Sequence, residues 1–197
     1  MSLVLPPTVL PTQPDTALSD GRVRLRQFRA EDIPLLFAAV RESMKEMSVW
    51  LAWCHPNYSL EESTQYVLER EEEWRKDAHY SFGITDVLSG EFVGSVGLNF
   101  VNRTHHFANL GYWVRSRSTG QGIATRAVRL IARWGFEKLK FARLEIVVGL
   151  DNIASQRVAQ KAGAMREGIL RNRVCLHGQQ RDAVMFSLVP KDLEKEL

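Results

Sequence analysis

The chain has 197 residues, of which 45% are hydrophobic and 25% charged, as in ordinary globular domains and unlike collagen-like or low-complexity chains. Its uncharged runs are shorter than the roughly 20 apolar residues of a membrane helix, and no basic start of a secretory signal is present, so we expect a cytoplasmic protein with no membrane partner. Cys54 and Cys175 stand alone, which predicts free thiols and no metal site.

Charge is distributed unevenly along the chain. Residues 1–100 contain 9 Lys and Arg against 15 Asp and Glu, whereas residues 101–197 contain 17 against 8. This asymmetry indicates an anionic ligand on the second half and a cationic one on the first. The sequence has no zinc-finger spacing and no aromatic–basic module, so direct nucleic acid binding is not predicted.

The first half predicts an arm, a strand and two helices. Residues 1–20 contain four of the seven prolines and no periodic pattern, which predicts a flexible arm before a single domain at 21–197. Residues 22–28 alternate between charged and apolar side chains like a half-buried strand, and an amphipathic helix follows over 30–45. A loop with Trp50 and Trp53 precedes a capping box of Ser59 and Glu62, which begins a helix to about residue 77.

The second half is rich in strands. Residues 79–85 and 92–100 predict a hairpin, and 106–114 predict a third strand. A glycine loop and helix occupy 115–140, a buried strand 144–150, and a helix runs from an Asn152 cap to Gly163. Strands at 165–176 and 181–189 complete a mixed α+β fold, a sheet with helices packed on it.

The segment from Arg115 to Arg126 is the most informative one. A strand ends, a basic loop containing Gly120 and Gly122 follows, and a helix begins at once. Free amides at a helix N-terminus suit a phosphate, and glycines let a ligand approach the backbone closely. The loop lacks the Lys of a Walker motif and the third glycine of a dinucleotide fingerprint.

The pattern Arg117-x-x-Gly120-x-Gly122 resembles the acetyl-CoA loop of the GNAT N-acetyltransferase superfamily. Gly-Tyr-Trp at 111–113 precedes it, Asn152-x-x-Ser155 and Lys-Ala-Gly at 161–163 follow, and Glu-Gly at 167–168 is similar to the RimJ/RimL-like branch, the ribosomal-protein N-terminal acetyltransferases. The resemblance covers residues 22–189. It implies a GNAT fold, with a mostly antiparallel central sheet, two splayed strands and helices on both faces.

The resemblance also implies acetyl-CoA as the cosubstrate and a set of residues that bind it. Pantetheine would lie between the splayed strands, the pyrophosphate on the loop amides, and basic side chains such as Arg126 and Arg157 near the nucleotide phosphates. The implied acetyl-CoA residues are Trp113, Val114, Arg117, Ser118, Thr119, Gly120, Gln121, Gly122, Ile123, Ala124, Asn152 and Ser155.

For catalysis, Ser155 matches the family serine that can protonate or hydrogen-bond the departing sulfur. Relatives commonly carry a Glu two residues before Gly-Tyr, but here that position is Asn109, which is not a base. Glu145 is the candidate base on the next strand, and Glu167, His105 and His106 are alternatives.

The acceptor is expected to be an amine bound by Trp50, Trp53 and Asn109. Because no strong base is evident, an amine of low pKa such as a protein N-terminus is favoured. A small-molecule amine (an antibiotic, polyamine or amino acid) and a catalytically silent acyl-CoA-binding protein remain alternatives. Exposed edge strands make a homodimer plausible.

Overall fold

A computed structural model describes residues 16–194. In this part of the chain eight strands and five α-helices follow one another, with three short 3-10 helices between or after them. The strands and α-helices are β1 (Ala17–Ser19), β2 (Val23–Gln27), α1 (Ile33–Glu42), α2 (Met44–Met47), α3 (Leu60–Arg75), β3 (Tyr80–Asp86), β4 (Phe92–Asn102), β5 (Phe107–Val114), α4 (Ile123–Glu137), β6 (Arg143–Gly149), α5 (Ile153–Lys161), β7 (Met165–Leu176) and β8 (Gln179–Leu188).

All eight strands belong to one open sheet, in the order β1-β2-β3-β4-β5-β6-β8-β7. Every neighbouring pair is antiparallel except β5 and β6, which run parallel. The parallel pair needs a crossover, and α4 supplies it. The predicted mixed fold with a mostly antiparallel sheet is confirmed.

The two faces of the sheet carry different helices, because successive side chains of a strand point to opposite sides. On β4, Val96 and Leu98 belong to the main core together with Ile131 of α4. A register shift on β4 between Phe92 and Gly94 turns Phe92 to the other face, where it packs in a second cluster with Leu36 of α1 and Val67 of α3. Helices therefore cover both faces, as expected.

Local signals explain where helices begin and end. The Ser59 hydroxyl accepts from the Glu62 amide while the Glu62 carboxylate accepts from the Ser59 amide, so the predicted capping box is present at α3. The Asn152 side chain accepts from the Ser155 amide and caps α5. Gly163, with φ of 98°, follows α5 in the left-handed conformation expected after a helix.

Two predicted boundaries are wrong. Residues 17–19, assigned to the flexible arm, form β1 against β2, and the rest of that assignment, residues 1–15, lies outside the described residues. The first helix does not run to residue 45 but breaks at Ser43, which is fully buried and accepts the Ser116 amide at 3.0 Å. Strand β1 has only three residues, which is too few to show a period in the sequence. The helix break at Ser43 coincides with a hydrogen bond to Ser116, 73 residues away, which no local pattern reveals.

The described residues contain two free cysteines, Cys54 and Cys175. Between residues 16 and 194 no helix is long and apolar enough to cross a membrane. Over the same range no group of His, Cys, Asp and Glu side chains could hold a metal ion.

Candidate active site

Strands β5 and β6 pair only at their beginnings. The parallel register ends where Asn109 lies opposite Glu145. Beyond that pair β5 continues against β4 to Val114, and β6 continues against β8 to Gly149, so the two strands separate. The facing edges of this gap have backbone groups without a strand partner, to which an extended ligand with amide groups could bind.

A glycine turn connects the open end of β5 to α4. Gly120 and Gly122 have φ of 75° and 77°, where other residues are strained, and a Cβ at either would meet no atom within 4 Å. Among residues 16–194 the first-turn amides of Ile123, Ala124 and Thr125 have no acceptor. Open space, free amides and the positive end of the helix dipole fit a pyrophosphate group.

The arginines beside this loop are held by carboxylates. Arg117 Nη2 lies 2.9 Å from Glu91 Oε1, and Arg126 Nη1 lies 2.8 Å from Asp20 Oδ2. Both guanidinium groups are about half exposed, so each pair contributes about 1 kcal/mol or less. A bound phosphate could therefore compete for either side chain.

The serine of α5 contacts a tyrosine of β5. Tyr112 Oη lies 2.9 Å from both the carbonyl oxygen and the Oγ of Ser155. A carbonyl oxygen only accepts, so the single phenol proton belongs to that bond, and the Ser155 hydroxyl donates to Tyr112 Oη. Burial raises the pKa of Tyr112 to about 12, which keeps the phenol neutral at physiological pH. The pair places the Ser155 hydroxyl beside the gap.

A cavity of about 500 Å³ opens between α3, the loop after α2, and the sheet. Its sheet side is formed by residues that share one face of β3, β4 and β5, and its other walls are aromatic and acidic. Its lining includes Trp53, Tyr58, Glu62, Tyr66, Glu69, His79, Ser81, Gly97, Asn99, Gly111 and Trp113. The cavity reaches β5 on the stretch that has separated from β6.

The two predicted acceptor tryptophans have different surroundings. Trp53 lines the cavity, is 43% exposed, and its ring centroid is 6.3 Å from that of Trp113. Trp50 does not line the cavity but lies against the end of β6. A Cβ added at Gly149 would lie 3.6 Å from the Trp50 ring. Trp113, expected at the cofactor, lines this same cavity, because odd-numbered residues of β5 face that side.

Among the residues that the structure describes, no free carboxylate lies at the point where β5 and β6 separate. Asn109 donates from Nδ2 to Asn99 Oδ1 at 2.8 Å. Glu145, opposite Asn109, accepts from Arg143 Nε at 2.9 Å and does not line the cavity. Arg143 also binds Glu167 in bidentate fashion at 2.6 Å and lowers the pKa of Glu167 to about 2. Both glutamates are thus bound by Arg143, and a carboxylate in such an ion pair is poorly placed to accept a proton from an amine.

Comparisons with known proteins agree with this arrangement. Residues 22–165 match the family model described as an acetyltransferase (GNAT) domain. "Probable N-acetyltransferase YjcK" of Bacillus subtilis strain 168 is 33% identical over 139 residues, covering 70% of this chain and 77% of that one. A Vibrio cholerae structure provisionally named a ribosomal-protein-serine acetyltransferase is 32% identical, with a TM-score of 0.79 over 90% of this chain and 99% of that one.

This chain belongs to the GNAT acetyltransferase family. The structure of RimL in complex with coenzyme A, 22% identical, shares its fold with a TM-score of 0.79 over 85% of this chain and 94% of that one. The chain is an N-acetyltransferase of the RimJ/RimL-like group and uses acetyl-CoA. The family and cosubstrate inferred from the loop motif are confirmed.

In this GNAT domain the predicted cofactor residues come together around the gap. Trp113 and Val114 end β5, residues 117–124 form the turn and the start of α4, and Asn152 and Ser155 begin α5. Four residues near the site were not predicted from the sequence, namely Tyr66, His79, Ser81 and Tyr112. Tyr112 was visible within the Gly-Tyr-Trp motif, and the alternation of β3 could have placed Ser81 on the cavity face.

Proposed function

We propose that this GNAT enzyme acetylates the α-amine of a protein N-terminus. The observation that carries the proposal is the Asn109–Asn99 amide pair where β5 and β6 separate, with Glu145 turned to Arg143. Within residues 16–194, therefore, the groups at this point of the sheet are amides and an ion-paired carboxylate. An α-amine has a pKa of about 7.7–8.0 and is partly neutral at pH 7, whereas a lysine amine near 10.4 is almost entirely protonated. The site suits the first kind of amine.

The cavity can attract the amine before it reacts. Glu62 and Glu69 stand on its wall, and the amide of Ser59 holds the pKa of Glu62 below its usual value, so this carboxylate stays charged. The rings of Trp53 and Tyr58 add aromatic faces that favour a cation. A protonated amine would therefore concentrate in the cavity and react from its neutral fraction.

The chain's own residues then have two tasks. The amine nitrogen attacks the thioester carbonyl carbon, the carbon–sulfur bond breaks, and water removes the surplus amine proton. We assign Ser155 to protonation of the departing sulfur, with Tyr112 holding the serine hydroxyl in place, and the proton that water takes from the amine restores the serine hydroxyl. The amides at the start of α4 would hold the pyrophosphate.

A small cationic amine is the second candidate. The same Glu62 and Glu69 carboxylates would also attract a polyamine, and a cavity of about 500 Å³ is large enough for one. The discriminating experiment measures CoA release with peptides that have free N-termini, polyamines, amino acids and aminoglycosides. We expect the highest kcat/KM for peptides, and N-acetylated versions of the same peptides should be inert. Preference for a polyamine would replace the proposal, and no release with any amine would indicate a silent binder.

A further inference from the structure

A chain of hydrogen bonds ends at the cavity, on the side away from the gap. Arg70 Nη1 lies 2.5 Å from His79 Nδ1, His79 Nε2 lies 3.0 Å from Ser81 Oγ, and Ser81 Oγ lies 3.2 Å from Tyr66 Oη. Ser81 is 2% exposed, and it lines the cavity together with His79 and Tyr66. None of these residues has a role in the transfer step described above.

Arg70 determines the direction of these bonds. A guanidinium only donates, so His79 Nδ1 must be the bare, accepting nitrogen, and the ring proton is on Nε2. His79 therefore donates to Ser81 Oγ. The Glu73 carboxylate is 3.1 Å from Nδ1, but the opposite tautomer would set two N–H groups of Arg70 and His79 against each other.

This direction excludes a nucleophile–base pair. Ser81 beside His79 resembles the first two members of a catalytic triad, but a base must present a bare Nε2 to the serine. Burial and the Arg70 charge also lower the pKa of His79 to about 4, so the ring stays neutral and does not take up a proton at physiological pH. His79 acts here as a fixed donor.

The hydroxyl groups of Ser81 and Tyr66 have one more proton than their hydrogen bonds use. Ser81 and Tyr66 carry one hydroxyl proton each, and the bond between them uses only one of the two. Within residues 16–194, neither oxygen has a further acceptor within hydrogen-bond distance. One hydroxyl proton is therefore available at the cavity wall for an acceptor on a ligand.

The sheet register gives the distance of this proton from the reaction. Ser81 of β3 is paired with Gly97 of β4, and Gly97 is paired with Gly111 of β5, on the stretch that lines the gap. Two strand spacings of about 4.8 Å separate Ser81 from the β5 edge, roughly 10 Å. Neither glycine has a side chain, so the sheet surface from Ser81 to the β5 edge is open. A Cβ at Gly97 would lie only 3.0 Å from Ser81 Oγ and 3.1 Å from His79 Nε2.

We propose that Ser81 and Tyr66 form a subsite that donates a hydrogen bond to a backbone carbonyl of the acceptor peptide. An extended peptide advances about 3.3–3.6 Å per residue, so a carbonyl roughly 10 Å from the reacting amine belongs to the second or third residue. The subsite rests on the proposed N-terminal acetylation and explains how a peptide is distinguished from a polyamine, which has no carbonyl.

The first test uses the unmodified enzyme and short peptide amides. One peptide bond at a time is replaced by a trans-alkene, which keeps the shape and removes the carbonyl together with the N–H. An ester at the same position keeps the carbonyl and lacks only the N–H, so it is the control and should have little effect. We expect replacement at the second or third position to lower kcat/KM by roughly fivefold to tenfold, the value of one neutral hydrogen bond. An equal response at every position, or none, would overturn the subsite.

The second test removes the hydroxyls. Because either residue can hold the spare proton, S81A and Y66F alone should each lower kcat/KM for the peptide less than about threefold, and the double variant by roughly tenfold. In the double variant the alkene replacement should have no further effect, and kcat/KM for a simple alkylamine should not change. An equal loss for peptide and alkylamine would show a structural role only.

The two proposals fail in different ways. If the unmodified enzyme acetylates alkylamines or polyamines but no peptide, N-terminal acetylation is wrong and the subsite is wrong with it. If the enzyme prefers peptides and the double variant keeps both that preference and the alkene sensitivity, only the subsite is wrong.

Discussion

The Oη of Tyr112 and the Oγ of Ser155 lie 2.9 Å apart, although the two residues are 43 positions apart in sequence. The contact joins β5 to the first turn of α5 across the place where β5 and β6 diverge. It leaves the serine proton directed at a neutral phenol, from which it can turn to another acceptor.

Replacing Ser155 tests this arrangement. We expect Ser155→Ala to lower kcat by about 10²–10⁴-fold, the usual value of general acid help, with little change in the affinity for acetyl-CoA. Tyr112→Phe should lower kcat less, because it removes the partner that orients the serine and leaves the serine itself. Steady-state kinetics and calorimetry with acetyl-CoA measure both effects. A fall in thermal stability with unchanged kcat would show that Ser155 serves only the structure of the first turn of α5 and has no part in the transfer.

The glycine turn can be tested with a matched pair of variants. Gly122→Val places a side chain where φ is 77°, at the free amides of α4, and we expect it to abolish acetyl-CoA binding. Gly178→Val imposes a similar strain at φ of 74° in the turn between β7 and β8, also with no atom within 4 Å. Calorimetry should show binding lost only in the first. Equal affinity in both folded variants contradicts the assignment of the turn.

The pH dependence reports whether the enzyme supplies a base. His79 and Glu167 have pKa values of about 4 and 2, so neither titrates near neutrality. We expect kcat/KM to rise with pH along the titration of the acceptor amine, with an inflection near 8 for a peptide. An acceptor with a lower amine pKa should move the inflection down with it. An inflection fixed near 6–7 for every acceptor would show a titrating enzyme group.

Asn109→Glu is the reciprocal variant. The new carboxylate at position 109 would lie opposite Glu145. The nearby Glu145 carboxylate should raise the pKa of the new group and so make the new group a better base. We expect a faster reaction at pH 7 and almost no change at pH 9, where the amine is already neutral. A variant that is no faster at pH 7 would show that position 109 does not face the reacting amine.

The Arg143–Glu167 pair predicts a pH-dependent stability. The pKa of Glu167 falls from 4.5 to about 2 on folding, so its contribution is complete above pH 4.5 and is lost as pH falls towards 2. Because Glu167 is 36% exposed, Glu167→Gln should cost only about 1 kcal/mol, or 2–4 °C in Tm, at pH 7. The difference from wild type should close by about pH 2. Exposed Glu71 in the middle of α3 provides the control, and Glu71→Gln should change Tm at pH 7 much less than Glu167→Gln does.

Most elements could be predicted because their signals are local. The capping box of Ser59 and Glu62 lies within four residues, and the alternation of β2 needs only five residues to be seen. The glycine turn is equally local, so the acetyl-CoA loop was recognisable from Arg117, Gly120 and Gly122. Strand β1 was missed because its three residues show no period, and it forms only through pairing with β2.

The roles of polar side chains depended on contacts that no spacing reveals. Glu145 was a reasonable base by position on its strand, but Arg143 and the distant Glu167 draw it into an ion-pair cluster. Trp50 and Trp53 are three residues apart in one loop, yet only Trp53 lines the cavity. Packing decides which of two similar side chains meets a ligand.

The sequence by itself determined the family, the cosubstrate and the order of the longer elements, because these depend on residues that are neighbours along the chain. Only the tertiary structure decided what surrounds the acceptor. His79 and Ser81 gain their donor direction from Arg70 on another element, and Ser155 meets Tyr112 across the gap. A hydrogen bond requires two groups within about 3 Å, and for residues far apart in sequence that distance is created only when the sheet and its helices have packed.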